Sequence, residues 1–110
     1  MSKTIIDLSD YNLKINFARQ GRHIEDSEYY LEGRSILEAN PQMLIDLYSG
    51  KGEMLFKNGA WLSRERFEHT DYIGVCKFLD GTSVRTKRGI IHYSKTKGLH
   101  VVPSQPKTEE

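Results

Sequence analysis

Two imidazoles, a hydroxyl and two ammonium groups crowd into one short stretch: His92, Ser94, Lys95, Lys97 and His100 all lie within Gly89-Ile-Ile-His-Tyr-Ser-Lys-Thr-Lys-Gly-Leu-His-Val-Val-Pro103. Such a set can break a phosphodiester of RNA without a metal. One histidine removes the proton of a ribose 2′-hydroxyl, which attacks the adjacent phosphorus. A second group protonates the departing 5′-oxygen, and a cation stabilises the extra charge of the transition state. Histidine suits both proton transfers because its unperturbed pKa lies near ~6.5. The same residues also fit a bland alternative, the polar outer face of a half-exposed sheet.

The hydrophobic alternation around Gly98 reads as a β-hairpin, and its register decides which side chains meet. A three-residue loop of Thr96, Lys97 and Gly98 sets Ser94 opposite His100 and Tyr93 opposite Val101. Ile91, Tyr93, Leu99 and Val101 then share one face, and His92, Ser94 and His100 the other. A two-residue loop would mix apolar and polar residues on each face, so the pattern favours the first register.

The charge around this hairpin is one-sided. Sixteen Lys/Arg against fifteen Asp/Glu give a net charge of only +1. Residues 1–60 nevertheless carry seven basic and nine acidic residues, and the remainder nine and six. Arg85, Lys87, Arg88, Lys95 and Lys97 follow one another with no acid between Arg85 and His100. A basic stripe on one element can bind phosphates in a protein of neutral total charge. Arg85, Thr86, Arg88, Tyr93 and Lys97 extend the expected substrate surface, with Arg22 from the first half.

Other chemistries find little support. The single cysteine, Cys76, excludes an internal disulfide framework and reads as a small buried hydrophobe; the four histidines lack close ligand spacing, so no metal is expected. No Gly-rich phosphate loop appears, and no cofactor is implied. No apolar run approaches the ~18 residues of a membrane span, and the N-terminus lacks the order of a signal peptide. His69, among Glu68, Thr70 and Asp71, reads as an ordinary surface residue.

The elements that would position the hairpin are short. A length of 110 residues, 37% of them hydrophobic, suits one domain with one modest core. Residues 4–18 read as a strand or a short helix, and residues 27–38 as helical turns weakened by Gly33. Asn40 and Pro41 open a helix whose Leu44, Ile45, Leu47 and Tyr48 share a face, ended by Gly50 and Gly52. Asn58-Gly59 turns one strand into the next, Asp80-Gly81 another, and Gly98 the last. The expected fold is α+β: N-terminal short helices packed on a four- to five-stranded antiparallel sheet. Residues 1–103 are expected to form the domain, and residues 104–110 a flexible C-terminal tail.

Arg22-His23-Ile24, Tyr30-Leu-Glu-Gly-Arg-Ser35, Asn40-Pro-Gln, Tyr48-Ser-Gly-Lys-Gly52, Ile73-Gly74, Ile91-His-Tyr-Ser-Lys95 and Gly98-Leu-His-Val-Val-Pro103 occur in an order that resembles the polymorphic toxin type 50 domain. That resemblance implies a ribonuclease of the barnase/colicin/RelE-like superfamily, found at the ends of bacterial secreted toxins and in some phage head proteins. It adds His23 and Arg34 to His92, Ser94, Lys95 and His100 as catalytic candidates. It implies RNA, tRNA included, as substrate, an immunity protein as partner, and a cytoplasmic site of action after delivery or from a phage gene. The alternative is a non-catalytic RNA- or protein-binding module of phage or toxin-system origin.

Overall fold

Asn40 accepts a hydrogen bond from Met43 N through its Oδ1 at 3.1 Å, and Pro41 occupies the first turn, so helix α2 runs Pro41–Tyr48 as its sequence demands. Leu44 and Ile45 bury its inner face. The computed structural model describes residues 6–106; Lys107–Glu110, part of the expected tail, lie outside the described residues.

Past α2, strand β2 (Glu53–Lys57) turns at Asn58-Gly59 into β3 (Ala60–Glu68). Both turn residues have positive φ, 53° and 80°, as a type I′ turn requires. The expected single antiparallel sheet then breaks. β3 pairs not with the next strand but with β6 (Arg88–His92), which pairs with β7 (His100–Pro103), giving the order β2-β3-β6-β7. The intervening hairpin of β4 (Gly74–Lys77) and β5 (Ser83–Thr86) joins β1 (Ile36–Leu37) in a second, three-stranded sheet. The protein is therefore α+β with two antiparallel sheets in place of one.

Gly74 makes this second sheet possible. A Cβ there would sit 2.1 Å from the Ile36 carbonyl oxygen, so only glycine lets β1 approach β4 so closely. The segment expected to hold helical turns instead supplies turns and the two-residue strand β1.

The N-terminal segment does both things its sequence allowed. Ile15 forms a parallel bridge with Leu99, and Asn16 then caps the five-residue helix α1 (Phe17–Gly21) by accepting from Arg19 N at 3.0 Å. Gln20 of α1 is buried, and its side-chain amide bonds both backbone groups of Val101, donating to the carbonyl at 2.9 Å and accepting from the N–H at 2.7 Å. A side chain thus occupies the edge of β7 where another strand could pair. Beneath the larger sheet, Ile91, Leu99 and Val101 pack with Leu37, Leu44, Ile45, Phe67 and Ile73. The opposite face of β3, β6 and β7 is partly exposed, with the turn after α1 covering it at His100.

Candidate active site

His92 lies directly opposite His100 in the β6–β7 ladder, whereas the sequence expectation set Ser94 there. The hairpin is longer than a three-residue loop because the backbone at its end is engaged elsewhere. Tyr93 N donates to Ser63 O and Leu99 N to Lys14 O, each at 2.8 Å. A register change of two residues keeps every side chain on its face, so the imidazoles still point outward and Ile91 and Val101 inward.

The outward face carries a row of rings. His92 and His100 stack with centroids 4.6 Å apart, and His23 stacks on the far side of His100 at 6.2 Å. His23 arrives from the turn after α1, and its Nδ1 lies 2.9 Å from the Ser35 carbonyl oxygen. A carbonyl can only accept, so Nδ1 carries the proton and Nε2 of the neutral ring keeps its lone pair.

Arginines flank the row. Arg64 of β3 pairs across from His92, so Arg64, His92 and His100 form one line across the sheet. Burial lowers the pKa of His92 to about 4, helped by Arg64 and His23. Burial also lowers His100, to about 3, with His92, His23, Arg19 and Arg22 adding to the effect. His23 is lowered chiefly by burial, against which its bond to Ser35 acts, and further by Arg34 and Arg22. At neutral pH all three rings are therefore proton acceptors in the free protein, and the surrounding positive charge favours an anion. Arg34 is exposed beside His23, and both line a cleft of about 700 Å³ with Lys77 and Phe78.

Several expected site residues stand elsewhere. Ser94 Oγ accepts from Lys97 N at 3.1 Å and so closes the turn. Lys95 holds its ammonium 5.7 Å from the Tyr11 ring, which packs against Trp61 and Tyr93 at the core side of the hairpin. Lys97 is exposed at the tip, its carbonyl accepting from Asn16 Nδ2. Tyr93 and Thr86 require correction as substrate contacts: both are buried, as His23 also is, but their hydroxyls are already committed, that of Tyr93 to Glu65 and Ser49. Thr86 Oγ1 donates to Ser104 O at 2.7 Å and accepts from Arg88 N, which also ties the first residue of the expected tail to the sheet. Arg85 and Arg88 lie at the opposite end of β6 from the imidazoles. Arg22 stays exposed next to His23.

A family model for bacterial toxin 50 matches residues 15–103. The chain belongs to the bacterial toxin 50 family. No curated protein matches it. In this bacterial toxin 50 domain the matched segment begins at Ile15, where the chain first pairs with Leu99, and ends with β7 at Pro103. It therefore contains the complete imidazole row and its arginines.

Sequence reading missed two features of the toxin domain that matter here. Arg64 became legible only once β3 was known to pair with β6. Glu65, its neighbour, points the other way and is fully buried. Its carboxylate accepts from Gly50 N at 2.9 Å, from Gly52 N at 2.6 Å and from the Tyr93 hydroxyl at 2.5 Å. Burial raises the Tyr93 pKa and the adjoining carboxylate raises it further, so the phenol remains the donor. His69, expected to be a plain surface residue, is half-buried with its Nδ1 2.6 Å from the Tyr48 hydroxyl.

The Glu65 arrangement fixes the Tyr48–Gly52 loop beneath the strand that carries Arg64. Glu65→Ala would take the acceptor from the buried Tyr93 hydroxyl and from the N–H groups of two exposed loop glycines, and we expect it to cost about 1–3 kcal/mol of stability. Glu65→Gln, which keeps one acceptor, should cost less. Urea midpoints of the two variants measure the difference; equal midpoints for wild type and Glu65→Ala would reject the role.

Proposed function

We propose that this toxin domain is a metal-independent endoribonuclease that cleaves RNA by transesterification. The observation that carries the proposal is the row of three stacked imidazoles on the outward sheet face, His92 and His100 partly exposed and His23 buried, flanked by Arg64, Arg19, Arg22 and Arg34. Its parallel rings offer two proton-transfer groups side by side, which attack on one side of phosphorus and departure on the other both need. In this reading His23 Nε2 takes the 2′-hydroxyl proton. The 2′-oxygen bonds to phosphorus, the bond from phosphorus to the 5′-oxygen breaks, and His100, protonated in the complex, supplies the proton to that oxygen. The products are a 2′,3′-cyclic phosphate and a 5′-hydroxyl. His92 shares charge with His100, and Arg64 and Arg22 stabilise the phosphorane oxygens.

The lowered pKa of His23 suits the base, whereas His100 can act as the acid only when the negative charge of a bound phosphodiester beside it raises its pKa from about 3. A barnase/colicin/RelE-like origin, an immunity protein covering the outward face, delivery into or expression within a target cytoplasm, and a single domain over residues 1–103 complete the proposal. Incubating the purified protein with mixed RNA, tRNA included, in EDTA should yield cyclic phosphate ends. Intact RNA across such a panel would sink the reading. Salt-sensitive binding without turnover would then favour the RNA-binding module in its place.

A further inference from the structure

The outward face continues past the imidazoles. Below the line Arg64–His92–His100, the same face presents Arg66, Ile90 and Val102, and below them Glu68 and Arg88. A cleft of about 390 Å³ lined by Arg66, Arg88, Ile90, Ser104 and Pro106 occupies this region. A second, of about 400 Å³, shares Arg88 and Pro106 and adds Tyr72, Arg85 and Lys87. The track from His92 to Arg88 spans four residues of strand, or ~13 Å.

Two buried polar atoms beside the first cleft lack hydrogen-bond partners: Arg88 Nε and Ser104 Oγ. The carboxylate of Glu68 approaches Arg88 Nε only to 3.7 Å, too far for a hydrogen bond. Unpartnered buried donors are uncommon because they forfeit a hydrogen bond on folding, and an anionic oxygen is the acceptor that suits both. At the far end, Arg85 lies 4.5 Å and Lys87 5.3 Å from the centroid of the half-exposed Tyr72 ring. An aromatic ring bearing two cations provides a stacking surface for a base together with charge for its phosphate.

We propose that this track is a distal subsite for single-stranded RNA, in which Arg88 and Ser104 take a backbone phosphate and Tyr72 with Arg85 and Lys87 stacks a base. It rests on the ribonuclease reading for its ligand, but it concerns binding alone. Arg66, paired with Glu53 at 3.1 Å, guides the strand between the two ends. A phosphate at this position would take the place of the Glu68 carboxylate, which lies 3.7 Å from Arg88 Nε. An extended strand reaching the imidazole row therefore gains affinity with length.

The test uses 2′-O-methylated RNA, which has no attacking proton and stays intact. Fluorescence anisotropy compares a dinucleotide with a longer unstructured oligonucleotide on wild type, on Arg88→Gln, and on the exposed pair Arg85→Gln/Lys87→Gln. The longer strand should bind wild type more tightly, and each variant should lose ~10-fold of that gain with dinucleotide binding unchanged. The salt slope should fall by about one for each phosphate contact removed. Variants that bind the long strand like wild type, or a wild type with no length dependence, would overturn the subsite. Cleavage of unmodified RNA in the same preparations separates the two ideas. Turnover with unaltered long-strand binding leaves the catalytic reading standing alone, whereas variant-sensitive binding without turnover leaves only the subsite.

Discussion

Cleavage by a His100→Ala variant is expected to fall by roughly 10²–10⁴-fold, the usual worth of a positioned proton-transfer group. His100 is the middle ring of the row, 4.6 Å from His92 and 6.2 Å from His23, so its removal separates the other two as well as deleting an acid. His23→Ala should lose a comparable factor, because Nε2 is the base whose tautomer the Ser35 carbonyl fixes. Ser94→Ala and Lys95→Ala should retain nearly full activity, since one side chain closes a turn and the other lies over Tyr11. That contrast is the decisive part. Loss in the Ser94 and Lys95 variants with retention in His100→Ala would move the chemistry to the hairpin tip and reject the row.

The pH profile adds an independent readout. In the free protein His92 and His100 titrate near 4 and 3. The fraction of enzyme carrying a protonated acid therefore falls steadily as pH rises above those values. On this mechanism kcat/KM, which reports the free enzyme, needs His23 neutral and His100 protonated. It should stay level between the low pKa of His100 and the lowered pKa of His23 and decline above that, through neutral to alkaline pH. Arg64→Gln removes a positive neighbour of His92 and should raise that ring's pKa, visible by NMR titration. A profile flat from neutral to alkaline pH would mean that these imidazoles do not transfer the proton.

Much of this was legible in the chain, and the gaps have physical causes. Asn40-Pro41 and Asn58-Gly59 are local signals, needing only their own backbone geometry, and the structure places a helix and a hairpin where they stand. The two faces of the last hairpin followed from alternation alone. Its register did not, because Tyr93 and Leu99 are bound by Ser63 and Lys14, residues far away in sequence. The second sheet was invisible for the same reason: β1 has two residues and exists only because Gly74 admits its backbone. Charge misled where burial overrode it, as at Glu65, which looks like a solvated strand residue until its backbone partners are known. His23 carried no local signal beyond its basic neighbour, and the family motif supplied it.

Acidification should destabilise this domain well before its carboxylates protonate. Unfolded histidines take up protons as pH falls through about 6.5, whereas folded His92 and His100 resist until about 4 and 3. The unfolded chain therefore binds more protons throughout that window. Stability is full above pH 6.5 and declines below it, by roughly 1.4 kcal/mol per pH unit for each imidazole. Between neutral pH and about 4.5 the pair should remove on the order of 3–5 kcal/mol, a large share of the roughly 5–15 kcal/mol typical of a domain. Urea midpoints across that range measure the slope. His100→Asn, which cannot take up a proton, should flatten it by about half. Added phosphodiester should also flatten it, because an anion on the row raises both pKa values and lets the folded state take up protons too. A wild-type slope retained in His100→Asn would show that the acid sensitivity arises elsewhere and that the row is not held neutral by burial.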